Sequence, residues 1–286
     1  MVEIRPALAP DRDAVCQFLH EKMDSRIPVE RWRSITDRRW PSDMPEFGIL
    51  AEDKGKVIGY VNAIYVTRTI DEKPRYTGNL GALYVDRDYR GRGLGLDILR
   101  AVMARDDVTY TTFTSNPPAV RLVLKAGMER LDERRLLWHP SETADPGVEI
   151  SRDIDRFADR LPASARQALA DHAGLGLESA VISAPDGRAC LVIYYVKRKG
   201  EDIAYHEVLY ISDAEVFGRY ALSFAAAILP PRQAMLSVDS RFLDKFVVPD
   251  ASEEIRVPRH FRSAGLAPSE IDFLYSEVVL LGLKLY

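Results

Sequence analysis

Apolar positions change their period several times along the chain, and each change marks an element. Behind Pro10 and Asp11, the residues Val15, Phe18, Leu19 and Met23 recur at helical spacing, which predicts a helix over 11–24. Residues 47–50 and 57–66 are rich in β-branched and aromatic side chains and flank the turn Asp53-Lys54-Gly55-Lys56, so they read as a hairpin. A third strand is expected over 78–85. Leu94, Ile98, Ala101 and Val102 then return to helical spacing, and 109–114 again favours a strand. The order is helix, meander, turn, helix, strand.

A polar stretch with Pro140, Pro146 and Gly147 interrupts this pattern, and the pattern then restarts. Asp186-Gly187-Arg188 precedes a strand at 189–196, followed by a strand at 204–211, a helix at 220–228 and a strand at 234–238. The hairpin glycines Gly55 and Gly187 recur at nearly the same interval as Lys125-Ala126-Gly127-Met128 and Ser263-Ala264-Gly265-Leu266, which predicts an internal repeat. The expected organisation is an α+β protein with a first domain over 1–140, a linker at 141–153 and a second domain over 154–286.

Composition narrows the class. The chain has 286 residues, 47% hydrophobic and 29% charged, which suits a soluble protein of two medium domains. Its formal net charge is -4, with bases and acids interspersed, and this argues against a nucleic-acid surface. The first residues read as a strand and not as a secretory signal, and the apolar run at 221–229 is closed by Pro230-Pro231, too short to cross a bilayer. Cys16 and Cys190 are isolated, and no Cys/His spacing suggests a metal. The expectation is a cytoplasmic monomer or homodimer without metal, nucleic-acid partner or membrane partner.

The most informative segment is Arg90-Gly91-Arg92-Gly93-Leu94-Gly95, placed where the strand ending at Val85 gives way to a helix. A pyrophosphate needs converging N–H donors, and a helix N-terminus supplies them with the positive end of its dipole. Glycines let the main chain come close. The dinucleotide fingerprint fails because Leu96 stands where its last glycine belongs, and no Gly-Lys-Ser/Thr follows for a P-loop.

The stretch from Leu83 to Gly95 resembles the acetyl-CoA-binding signature of the GNAT superfamily of N-acetyltransferases, Arg/Gln-x-x-Gly-x-Gly/Ala. A second segment, Asn116-Pro117-Pro118-Ala119 through Leu122, Lys125 and Gly127, is similar to the family's Asn-x-x-Ala-x-x-Leu-Tyr-x-Lys-x-Gly-Phe. The resemblance covers roughly 2–138. It implies a GNAT fold, a mixed sheet flanked by helices and splayed between its fourth and fifth strands, and the internal repeat then makes the second half a degenerate GNAT-like domain. It further implies that Leu83, Tyr84 and Val85 pair with pantetheine, that Arg90, Gly91, Arg92, Gly93, Leu94 and Gly95 hold the pyrophosphate, and that Asn116 binds the pantetheine arm. The implied donor is acetyl-CoA and the implied acceptor a primary amine of a small molecule. The second half lacks such a turn, since 212–219 reads Ser212-Asp213-Ala214-Glu215-Val216-Phe217-Gly218-Arg219, so it is expected to hold no donor site.

Two departures leave the proton transfers open. Val123 stands where many family members have a tyrosine that protonates the leaving thiolate, and Tyr84, Ser115 or a water are the candidate substitutes. A free thiolate with a pKa of about 8.5 is itself a fair leaving group. The fourth strand, Tyr76 to Leu83, carries no acid to accept the amine's proton. Candidates for the acceptor side are His20, Glu21, Asp24 and Trp32, with Asp239 of the second half placed at a strand end as Ser115 is in the first. Trp32 belongs to an aromatic and basic segment, Arg31 to Trp40, suited to stacking on an acceptor. A CoA-thioester sensor or scaffold without turnover, an O-acyltransferase, and a second half that docks a protein partner are the alternatives these gaps leave.

Overall fold

In the computed structural model, which describes residues 1–70, 73–200, 202–243 and 247–286, the chain opens with β1 (Glu3–Pro6), α1 (Arg12–Phe18) and α2 (Val29–Thr36). There follow β2 (Gly48–Asp53), β3 (Lys56–Ile70), β4 (Lys73–Val85), α3 (Leu94–Val102), β5 (Val108–Thr112) and α4 (Pro117–Lys125). The expected helix over 11–24 is α1 followed by a π-helical turn at Leu19–Met23. The aromatic and basic segment that contains Trp32 folds as α2, which the sequence pattern had not marked as a helix.

The second part contains β6 (Glu129–Trp138), β7 (Glu149–Ser151), α5 (Ala163–Asp171), β8 (Glu178–Ser183), β9 (Ala189–Lys199) and β10 (Ile203–Ile211). It continues with α6 (Ala214–Ile228), β11 (Ala234–Asp239), β12 (Ala251–Arg262) and, near the end of the sequence, α7 (Glu277–Leu281).

These elements form two units. The first comprises Met1–Leu131, Val257–Leu266 and Tyr275–Tyr286, and the second comprises Asp132–Arg256 and Ala267–Leu274. The boundaries differ from the expected 1–140, 141–153 and 154–286, because two later segments return to the first unit. The physical reason is visible at β5, whose Tyr110, Thr111 and Thr112 pair with Arg262, Phe261 and His260 of β12. A strand from the far end of the sequence satisfies the backbone groups of β5 that would otherwise form an open edge.

In the first unit β1, β2, β3 and β4 are antiparallel neighbours, and β4 pairs with β5 in parallel through the crossover helix α3. The buried face of α3, Ile98, Leu99 and Val102, packs with Val61, Ala63 and Leu80 of the sheet and with Val108 and Tyr110. Each such side chain contributes about 1.5–3 kcal/mol of burial, and together they hold the start of α3 against the end of β4.

In the second unit β7, β8, β9 and β10 are antiparallel neighbours, and β10 pairs in parallel with β11 through α6. Phe217 and Phe224 of α6 pack with ring centroids 5.5 Å apart, and Phe224 meets Tyr194 of β9 edge-on at 6.1 Å. Gly55 and Gly187 both occupy left-handed hairpin turns, with φ of 76° and 90°. The other pair cited for a repeat is not equivalent: Gly127 follows a helix, α4, whereas Gly265 follows a strand, β12, and belongs to the first unit.

Candidate active site

The cleft begins where β4 and β5 part. Their parallel pairing runs from Tyr76 opposite Val108 to Asn79 opposite Thr111. Beyond it lies a cleft of about 220 Å³, walled by Leu80, Gly81, Ala82 and Leu83 on one side and by Thr112, Thr114, Ser115 and Asn116 on the other. Its floor is apolar, with Val61, Leu99 and Val123, while Asp24 and Trp32 come from the α1–α2 side and Glu277, Leu281 and Leu283 from the returning segment. Every one of these residues belongs to the first unit.

Within this wall β4 is irregular. Tyr84 pairs with Tyr60 and Gly81 with Asn62, so Ala82 and Leu83 together face the single residue Val61, and Ala82 takes a left-handed φ of 47°. An alanine there is strained by about 1 kcal/mol or more, and the bulge re-aims the backbone beside the cleft. The bulge takes Ala82 and Leu83 out of one-to-one register with β3, and the Ala82 backbone hydrogen-bonds the carboxylate of Glu277.

The glycine turn follows directly. Gly91 and Gly93 have φ of 78° and 84°, conformations that only glycine adopts without cost, and Gly93 is the N-cap of α3 with no side chain over the helix end. The amides at the start of α3 are therefore left to an outside acceptor. Arg90 is anchored, its Nε donating to the Val85 carbonyl at 2.9 Å and its guanidinium lying 4.9 Å from the Tyr84 ring centre. Arg92 lies 5.9 Å over the Tyr89 ring and is exposed. Cations and free amides on one side of the turn suit a pyrophosphate.

Of the residues expected at the site, Leu83, Ser115, Asn116, Asp24 and Trp32 line the cleft. Asn116 caps α4, its side-chain oxygen accepting from the Ala119 amide at 3.0 Å, which leaves its NH₂ as the group available to a ligand. The Ser115 hydroxyl shares a hydrogen bond with Thr112 at 3.1 Å. Trp32 is 2% exposed, and its buried Nε1–H meets no acceptor among the described residues. Tyr84 is engaged by Phe18 and Arg90 and is not part of the cleft wall, and the His20 Nδ1 lies 2.8 Å from the Ile27 carbonyl. Asp239 belongs to the second unit, where it is ion-paired with Arg241, so it is a structural carboxylate held by its own cation.

Asp24 lines the cleft as a fixed anion. Arg26 grips both its oxygens at 2.9 and 2.7 Å, and this pairing holds its carboxyl down at about 2. One cleft residue carried no sequence signal at the site. Glu277, the first residue of α7, is 2% exposed, and its carboxylate accepts from the Thr114 hydroxyl. Burial pushes its carboxyl up to about 7, and the hydrogen bonds from Thr114 and the Ala82 backbone offset only part of that.

Residues 13–128 match the acetyltransferase (GNAT) family. No curated protein matches the sequence. Among solved structures, a GCN5-related N-acetyltransferase from Anabaena variabilis is 14% identical with a TM-score of 0.54, over 93% of this chain and 73% of that one. A probable N-acyltransferase from Enterococcus faecalis is 13% identical with a TM-score of 0.55, over 94% and 74%. A GCN5-related N-acetyltransferase from Kribbella flavida is 11% identical with a TM-score of 0.51, over 92% and 72%. At such identities these likenesses speak to fold. Residues 13–128, which hold the parted strands, the bulge and the glycine turn, are the part of the chain that matches the GNAT acetyltransferase family.

Proposed function

We propose that the protein transfers a short acyl group, acetyl in the first instance, from acyl-CoA to the primary amine of a small molecule, by direct attack and without a covalent enzyme intermediate. The observation that carries this reading is the cleft between β4 and β5, which opens beside a bulged strand and lies next to an uncapped helix start. Pantetheine would run along Leu83 to Val85 and past Asn116, with the pyrophosphate on Arg90 to Gly95. The thioester would then meet the wall at Ala82. Catalysis rests on alignment and on backbone donors at the developing oxyanion, effects that supply about 7–11 and about 3–4 kcal/mol in well-oriented systems.

The chain offers Ser115 or solvent, and not Val123, to protonate the departing thiolate. That vacancy also favours a second reading, a CoA-thioester sensor without turnover. Isothermal calorimetry with acetyl-CoA and continuous thiol release with a panel of primary amines separate the two. One-to-one binding with sustained, amine-dependent thiol release is expected. Absence of acetyl-CoA binding overturns both readings, and binding without release leaves the sensor.

A further inference from the structure

The strand that walls the donor cleft has no acid, and at Gly81 it has no side chain at all. A carboxylate stands there nevertheless. A Cβ built on Gly81 would lie 1.5 Å from Oε2 of Glu277 and 2.3 Å from its Cδ, so the glycine leaves the space that this acid fills. We propose that Glu277, carried to the cleft by α7, is the proton acceptor for the attacking amine. This deepens the acyl-transfer reading and rests on it.

Position is the first argument. Glu277 shares the cleft wall with Ala82, the strained residue of the bulge, and with Ser115, and it lies one residue from where that reading sets the thioester. Its placement is well determined: the backbone N–H donates to the Asn79 side-chain oxygen at 2.9 Å, and the preceding Tyr275, at a left-handed φ of 54°, packs edge-on against Trp40 at 5.1 Å. Thr114 and the Ala82 backbone hydrogen-bond the carboxylate, and among the described residues no Lys, Arg or His is paired with it.

Chemistry is the second argument. A buried carboxylate without a cation costs several kcal/mol when ionised, so a purely structural role is poorly served by an acid at this position. Among the described residues Asp24 is the only other ionisable group lining the cleft, and Arg26 makes it too weak a base. Among the described residues no ionisable group of β3, β4, α3, β5 or α4 lines the cleft. Glu277 titrates near neutrality, where its carboxylate is populated and basic enough to accept a proton.

The step balances without a co-reactant. The neutral amine attacks the thioester carbonyl, the C–N bond forms, and the C–S electron pair leaves with sulfur. The surplus proton on nitrogen passes to Glu277 and from there to solvent, and solvent protonates the thiolate.

The test uses the full chain with acetyl-CoA and a panel of 2-phenylethylamine, 1,4-diaminobutane and glucosamine, following whichever amine the wild type turns over fastest. In Glu277→Gln, kcat is expected to fall by about 100-fold or more while the acetyl-CoA Kd stays within about twofold. The wild-type rate should drop as pH falls through about 7, as Glu277 takes up its proton, and the variant should lose that dependence. Gly81→Ala, which displaces the carboxylate, should reduce kcat in the same way. Turnover by Glu277→Gln within about threefold of wild type overturns the proposal, as does a loss of acetyl-CoA binding equal to the loss of rate. Failure of the wild type to bind acetyl-CoA brings down the acyl-transfer reading itself, and is distinguished from the other outcomes because it appears without any mutation.

Discussion

The crossovers β4–α3–β5 and β10–α6–β11 have the same connectivity and opposite chemistry at the helix start. At α3 the helix begins at Gly93, with no side chain over its amides. At α6 the cap is Asp213, whose carboxylate accepts from the Val216 amide at 3.0 Å and is gripped by Arg188 at 2.7 Å. Glu215 adds a second anion, 3.0 Å from Arg188. One helix end has no side-chain cap, and the other is capped and ion-paired by its own residues. The buried acids divide in the same way. Glu207 of the second unit is paired with Lys199 and Arg135, and Asp132 with Arg241, whereas Glu277 of the first has no cation among the described residues. The start of α3 and Glu277 lack the ion pairs that close the start of α6 and Glu207.

The sharpest way to break this contrast is Gly93→Trp. A bulky side chain at a φ of 84° on the uncapped helix end should raise the acetyl-CoA Kd by about 100-fold or more, near 2.7 kcal/mol, measured by calorimetry. Wild-type affinity in that variant would remove the turn from the donor site.

The acids offer a stability test. The folded-state pKa of Glu277 is raised from 4.5 to about 7, so its contribution to stability is fully present below 4.5 and declines as pH rises through 7. Glu277→Gln should therefore be more stable than wild type above pH 7, by on the order of 1–3 kcal/mol, with the gap closing toward pH 4.5 in urea titrations. A variant less stable than wild type at pH 8 would contradict an uncompensated buried charge.

Asp213→Ala should cost about 1 kcal/mol of stability through the lost cap and leave acetyl-CoA stoichiometry at one per chain. A second bound acetyl-CoA would show that the plugged helix end is a latent donor site and would dissolve the comparison. Smallest of all, Arg92→Ala should weaken acetyl-CoA binding about three- to tenfold at low salt, the difference shrinking as screening increases.

The elements around the glycine turn were legible because their determinants are local. A strand, a glycine turn and an apolar helix follow one another within 83–102, and each obeys its own period. The parting of β4 from β5 came with the family resemblance. Trp32 was marked as a candidate while its helix was missed, because the polar and aromatic residues of 29–36 hide a short amphipathic turn pattern. At Asp239 a strand-end acid looks the same in sequence whether or not Arg241 pairs with it, so the ion pair was not legible. Glu277 was invisible as a partner of Gly81, since no periodicity links residues so far apart. Its one trace was a lone acid heading the apolar run Val278-Val279-Leu280-Leu281, opposite a strand glycine that had no turn to explain it.

The return of the chain to its first unit has a consequence for how the protein is made. A ribosome that has reached Leu131 has already translated the glycine turn and the bulge, but neither the β12 residues that border β5 nor the carboxylate that rests on Gly81. All of Asp132–Arg256 is synthesised in between. A chain stopped at Leu131 would thus hold the glycine turn and the bulge without the group proposed to complete the reaction.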